Sequence, residues 1–154
     1  MVIRNYKSED LPQIISLFRE TIIATCAKEY TLSQRKAWAG ADVSCWDESF
    51  RKHKTLVAEE EGEIIGFADM DEGYLDRLYV HKDFQGRGVA SALCDRLESE
   101  SGADVLSVYA SLTARKFFEK RGYVVIRENT VVREGVELKN YYMEKPVEQK
   151  RREI

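Results

Sequence analysis

The seven residues Gln85, Gly86, Arg87, Gly88, Val89, Ala90 and Ser91 carry the clearest chemical potential in the chain. Gly86 and Gly88 leave backbone N–H groups uncovered, and an amphipathic run follows at once. Amides converging ahead of a helix N-terminus bind phosphate. Arg87 is either a solvated surface arginine or a further phosphate contact. The loop is not a Walker A motif, because no Gly-Lys-Ser/Thr follows at the required spacing. It meets the dinucleotide fingerprint only in part, with Ser91 in place of the third glycine. Upstream, Asp76 stands among Tyr74, Leu75, Leu78 and Val80. Desolvation there would raise its pKa, which suits a base working near neutral pH. The alternative is a structural acid paired with Arg77, Arg115 or a backbone amide. Asp69 and Glu72 fall nearer a turn and are expected to be solvated.

A phosphate loop needs a strand before it and a helix behind it. Tyr74 to Val80 is rich in apolar and aromatic residues, as suits a strand buried on both faces. Val89, Ala90, Leu93, Cys94 and Leu97 form one stripe of a helix, which makes Cys94 a small core residue. Residues 55–59, 63–68 and 74–80 read as an antiparallel meander with turns at Gly62 and Gly73. Residues 105–109 return after the helix, and a strand–helix–strand unit of this length implies a parallel, right-handed crossover. A helix from Ser111 to Lys120 stops at Gly122, and residues 123–127 and 138–144 close the chain as a hairpin with Gly135 in its turn.

At the N-terminus, residues 2–6 read as a strand and Ser8 as the cap of a helix whose buried stripe is Leu11, Ile14, Ile15, Phe18 and Ile22. Thr31 and Gln34 have the spacing of a capping box that opens a short helix through Trp38. Trp46 and Phe50 mark another short helix and are assigned to the core. The aromatic insert from Lys28 to His53 is either a wall over a ligand or packing for the short helices. The expected fold is α+β: a mixed sheet of about seven strands, antiparallel in its first half, with a parallel central pair and helices on both faces.

Length bounds the chain to a single domain, 1–145, followed by a basic tail, 146–154, whose Lys150, Arg151 and Arg152 are expected to fray. A net charge of −3 gives no bulk attraction to nucleic acid. No apolar run reaches the length of a membrane span, and the N-terminus lacks the apolar core of a signal peptide, so a cytoplasmic location is expected. Cys26, Cys45 and Cys94 are odd in number and widely spaced, hence reduced thiols. His53 and His81 have no nearby Cys or acidic ligand pattern, so no metal site is expected.

Gln85-x-x-Gly88-x-Ala90, straight after a strand ending in Val80, resembles the acyl-CoA pyrophosphate loop of the GNAT superfamily of N-acyltransferases. The run from Ala114 to Tyr123 is similar to that family's second signature, in which a helix ends at Gly-Phe or Gly-Tyr, and the two stand one crossover apart as they do in the family. The order of elements also resembles the family's over nearly the whole chain. Tyr30, Gln34, Ala37 and Trp38 resemble a segment found in a bacterial subgroup.

The resemblance implies an N-acetyltransferase that moves an acetyl group from acetyl-CoA, its cosubstrate, to a primary amine of a small molecule or peptide. It implies a soluble monomer or homodimer acting on neither nucleic acid nor membrane. The pyrophosphate would lie on the amides from Gln85 to Ser91, and the cofactor along Leu78, Tyr79, Val80, Ser111, Ala114, Phe117 and Phe118. The main-chain N–H of Leu78 would polarise the thioester carbonyl at a bulge where the parallel strands splay. Tyr30, Gln34, Trp38 and Tyr109 would meet the acceptor, and Asp76 would be the base. Gln34 also has a structural duty as the partner of Thr31.

Two positions depart from the family. Ser111 replaces a common Asn, and Phe118 replaces the Tyr whose hydroxyl protonates the departing thiolate. That proton would come from Tyr109, Tyr142 or Tyr30, from water, or not be needed. No histidine nucleophile or Cys–His pair stands out, which favours direct attack over an acyl-enzyme. The missing tyrosine keeps a non-catalytic acyl-CoA-binding module as the alternative. A Rossmann-like NAD module is a third class, and the antiparallel meander ahead of the loop argues against it.

Overall fold

Seven strands form one sheet in the order β1-β2-β3-β4-β5-β7-β6. In the computed structural model, which describes residues 1–147, these are β1 (Val2–Asn5), β2 (Lys54–Glu60), β3 (Glu63–Asp71), β4 (Tyr74–Val80), β5 (Val105–Ser111), β6 (Val124–Arg133) and β7 (Val136–Pro146). The helices are α1 (Leu11–Thr25), α2 (Leu32–Ala39), α3 (Trp46–Lys52), α4 (Val89–Glu100) and α5 (Arg115–Lys120). The expected cluster at Lys150, Arg151 and Arg152 lies outside the described residues.

Each face of the sheet has its own core, because strand side chains alternate between faces. On one face Leu93, Cys94 and Leu97 of α4 pack on Leu56, Ile65, Leu75 and Leu106. On the other, Ile14, Phe18 and Ile22 of α1 and Trp46 and Phe50 of α3 cover Val57 and Phe67. Tyr30 and Leu138 form a smaller cluster that α2 joins through Trp38. Helices on both faces, an antiparallel start and a parallel β4–β5 pair match the fold read from the sequence.

Three local readings are corrected. Ser8 does not cap α1; residues Ser8–Asp10 form a single 3-10 turn, and the Asp10 carboxylate, held by Arg4 at 2.8 Å, accepts the N–H of Lys7 at 2.9 Å. Ser111 does not open α5: it ends β5, paired with Asn140, and its hydroxyl accepts the Ala114 N–H at 3.1 Å. The last hairpin is longer than the apolar pattern suggests, because Glu128, Asn129 and Thr130 stay in register with Tyr141, Asn140 and Lys139. Strand pairing there overrides polar composition. The capping box is present, with the Thr31 hydroxyl accepting from Gln34 N and the Gln34 side chain accepting from Thr31 N.

The β3–β4 turn fixes where the parallel pair begins. Glu72 and Gly73 have φ of 47° and 88°, the doubly positive pattern of a type I′ hairpin turn. The Gly73 carbonyl accepts the Ser107 N–H at 2.9 Å, which sets the register of β5 against β4. A Cβ at Gly73 would stand 2.6 Å from Ala103 Cβ and 2.8 Å from the Val105 carbonyl oxygen. Gly62, with φ of 79°, has nothing within 4 Å of that position. Gly73→Ala is therefore expected to cost about 2–4 kcal/mol, and Gly62→Ala only the αL strain of about 1–2 kcal/mol. Equal losses in urea unfolding would refute the steric account.

Candidate active site

The site starts from a fault in the β3–β4 pairing. Met70 pairs with Leu75 and Asp69 with Arg77, so Asp76 is an extra residue in β4, a β-bulge. The bulge shifts the phase of the strand. Leu75 pairs with Val108 of β5, and without the extra residue Arg77 and Tyr79 would turn their main chain the same way. Instead the His81 N–H donates to the Ile65 carbonyl at 2.8 Å, so Tyr79 and Arg77, in step with it, bond toward β3. Leu78 and Val80 then face the β5 side. The parallel ladder has ended at Leu75 and Val108, so the Leu78 N–H opens into the gap between the two strands. The bulge expected at this point is thus two residues upstream of that amide.

The gap is a cleft of about 250 Å³. Of the predicted cofactor residues, Leu78, Tyr79 and Val80 line it from β4, and Gln85 and Ala90 from the loop and α4. Ser111, Ala114, Phe117 and Phe118 line it from the β5 side. Tyr79 sends its ring into the core against Phe18 and Phe67. Gln85 is partly structural: its side chain donates to the Val80 carbonyl at 2.6 Å and closes the end of β4. Val89 is buried, with its Cγ1 2.9 Å from where a Gly66 Cβ would be, so α4 sits close on β3. Arg87 lies over the Phe84 ring at 5.1 Å. Gly86 and Gly88 have φ of 75° and 79°, and added Cβ atoms would meet nothing within 4 Å. Ser91 lies in the first turn of α4, whose amides have no helical acceptor. Open space over a positive-φ loop, free amides and an apolar cleft fit a phosphate-bearing acyl carrier.

A second hollow joins the cleft through Trp38, Asp76, Tyr79, Tyr109 and Ser111, which line both. Tyr30 and Tyr74 add aromatic walls, and Val131 and Arg133 close it from the final hairpin. Trp38 and Tyr109 therefore stand where the acceptor reading needs them. Gln34 lines neither space. Beyond its capping bonds, its side chain donates to the Glu137 carbonyl at 3.1 Å. The Tyr30 hydroxyl donates to the Lys139 carbonyl at 2.6 Å and accepts the Leu112 N–H at 2.8 Å, so its proton is committed. Tyr142 donates to Glu144. The Tyr109 hydroxyl accepts from Arg127 at 3.1 Å and keeps its own proton available. Phe118 is buried between Phe117 and Tyr123, with no hydroxyl to offer.

The apolar setting expected for Asp76 belongs instead to Asp69. The bulge leaves the Asp76 side chain 31% exposed, on the same face as Arg77 and opposite Leu78. Asp69, expected to be solvated, is wholly buried. One of its oxygens accepts from Arg77 at 2.6 Å and meets His53 Nδ1 at 2.8 Å. Its other oxygen is buried with no hydrogen-bond partner among the described residues. Burial pushes its carboxyl up to about 6, against the pull of Arg77 and His53. No sequence signal marked His53, because its acidic neighbours arrive from β3 and β4. His53, Asp69 and Asp76 place ligand atoms within 4.8 Å of one another, contrary to the expectation that no acids surround a histidine. Arg77, 2.6 Å from Asp69 and 3.4 Å from Asp76, already supplies the positive charge a metal would bring.

A carboxyl raised above its unfolded value of about 4 adds stability fully below pH 4 and loses it as pH rises through about 6. Wild type should therefore lose about 2–3 kcal/mol relative to Asp69→Asn between pH 4 and pH 7. Denaturant unfolding of both proteins across that range measures it, and parallel curves would show that Asp69 is not the titrating group.

Comparison with known proteins agrees with this geometry. The model of the acetyltransferase (GNAT) domain family matches residues 26–145. The chain is 37% identical over 142 residues to YafP, an uncharacterized N-acetyltransferase of Escherichia coli K12, covering 92% of this chain and 93% of that one. A GCN5-related N-acetyltransferase from Rhodopseudomonas palustris superposes with a TM-score of 0.87 at 36% identity, over 95% of each chain. The PaiA N-acetyltransferase of Thermoplasma acidophilum, solved with coenzyme A, shares the fold at a TM-score of 0.73 and 20% identity, over 95% of this chain and 98% of that one.

Proposed function

Because the chain belongs to the GNAT family of N-acetyltransferases, we propose that it transfers an acetyl group from acetyl-CoA to a primary amine of a small molecule or peptide by direct attack. The observation that carries this reading is the Leu78 N–H, freed by the bulge and opening into a cleft that meets an aromatic hollow beside Asp76. Acetyl-CoA supplies an activated acetyl group as a thioester. The loop amides from Gln85 to Ser91 would hold its pyrophosphate at the start of α4. Phe117, Phe118 and Val108 would line its apolar arm and keep water out. The Leu78 N–H would hydrogen-bond the carbonyl oxygen, where negative charge grows as the amine nitrogen attacks the carbonyl carbon. Asp76 would take the proton released by that nitrogen, and Tyr109 would give one to the sulfur as the C–S bond breaks.

The acceptor would lie between Trp38, Tyr74 and Tyr109, an arrangement that favours an amine on an apolar or aromatic body. The domain unit is residues 1–145, with β7 carrying one residue further. Among the described residues no helix is long and apolar enough to cross a membrane.

Two substitutions test the halves of this reading. Gly88→Val places a branched side chain at a positive φ and in the open space over the loop, and CoA affinity by calorimetry should fall at least about tenfold. A folded variant with unchanged affinity would remove the loop from the cofactor site. Asp76→Asn should lower kcat by about 10²-fold or more, with acetyl-CoA affinity unchanged, when thiol release is followed across a panel of primary amines. Wild-type turnover in that variant would return Asp76 to a structural role.

A further inference from the structure

Around the base, the Arg77 guanidinium and the His53 ring lie against the buried Asp69 and the exposed Asp76. We propose that Asp69 is the positioning residue for the base: it takes up the charge of Arg77 and holds His53, which leaves Asp76 aimed at the acceptor hollow and able to accept a proton. This rests on the reading of Asp76 as the base.

Arg77 is the reason such a residue is needed. Its guanidinium lies over Trp46 and Phe50, 5.0 and 4.7 Å from the ring centroids, and donates to Ser49 Oγ at 3.2 Å. It is thus fixed 3.4 Å from the Asp76 carboxylate and does not swing into solvent. A lone guanidinium at that distance holds a carboxylate ionised and makes it a poor proton acceptor. Asp69 lies closer to the same guanidinium, at 2.6 Å, and offsets its charge from inside the sheet. The partners also differ in freedom: Asp69 is wholly buried, whereas Asp76 is a third exposed on the hollow.

His53 completes the arrangement from the segment between α3 and β2. Its Nδ1 bonds Asp69 at 2.8 Å and stands 4.0 Å from Asp76, and its Nε2 lies 3.8 Å from Asp71. Bonded to Asp69, the ring keeps one edge toward the base. The other titratable groups around Asp76 on the hollow are the phenols of Tyr74 and Tyr79 on its own strand, Tyr109 on β5 and Tyr30, with Arg133 and Lys139 of the hairpin across it. A plain core ion pair would have the same distances. It would not change how the reaction depends on pH.

The test is the pH profile of kcat and of the acetyl-CoA KM for wild type, Asp69→Asn and His53→Gln, with the amine turned over fastest in the panel. Asp69→Asn leaves the Arg77 guanidinium to Asp76 alone, so the acid limb should move about one pH unit lower, and kcat at pH 7.5 should fall about tenfold with KM within about twofold. His53→Gln keeps a donor to Asp69 but loses the ring, and a fall of about threefold is expected, with imidazole restoring activity to His53→Ala. If Asp69→Asn does not fold, the two His53 variants decide. A loss of kcat with the acid limb unmoved, or a silent His53→Gln with no imidazole rescue, overturns the proposal. Should Asp76→Asn abolish turnover while these variants behave so, the base stands and only its positioning fails. A wild-type Asp76→Asn removes both readings.

Discussion

One inserted residue in β4 is the constraint on which the rest depends. A strand that kept its period through residue 76 would point Arg77 and Tyr79 toward β5 and leave the Leu78 amide bonded to β3. The bulge exchanges those roles. It also swings the Asp76 side chain onto the face carrying Arg77, so one irregularity aims a main-chain donor and a carboxylate at the same junction. The flanking pairs hold it in place: the Gly73–Ser107 bond fixes the start of β4, and the Gln85 bond to Val80 fixes its end. Between these ties the strand has no β5 partner past Leu75 and is held by its pairing with β3 on either side of the bulge.

The two faces of the sheet serve this junction differently. The α4 face is apolar and tightly seated, and it carries the loop from Gln85 to Gly88 as an extension of the helix that packs there. The opposite face mixes aromatic rings with the charged group of Asp69, Arg77 and His53. Rings that flank a guanidinium both desolvate it and hold it flat, so the charge is costly to move. The hollow beside Asp76 takes its outer wall from the β6–β7 hairpin and from α2.

What could be read from the sequence followed from local causes. The Thr31–Gln34 capping box, the three Glu-Gly hairpin turns, the Gly86–Gly88 loop and the stripe of α4 each depend on residues a few positions apart, and each is present. The parts that were not legible depend on pairing across the sheet. Nothing near Asp69 in the chain shows that Arg77 and His53 will meet it, and its place beside a turn suggested exposure. The position of the bulge is a property of two strands together, and so is the length of the last hairpin. Ser8 and Ser111 failed for a related reason: a better-placed carboxylate took one capping duty, and sheet pairing kept the other residue in a strand.

The Tyr30 hydroxyl joins the segment before α2 to the β5–α5 turn and to β7, and both its partners are main-chain groups. A tether of that kind does not depend on the side chains at 112 and 139. Those side chains, and the wall around Trp38, can therefore change without releasing the segment from β5 and β7. The phenol works as a fixed pin around which the surface can vary while the strands beneath it keep their places.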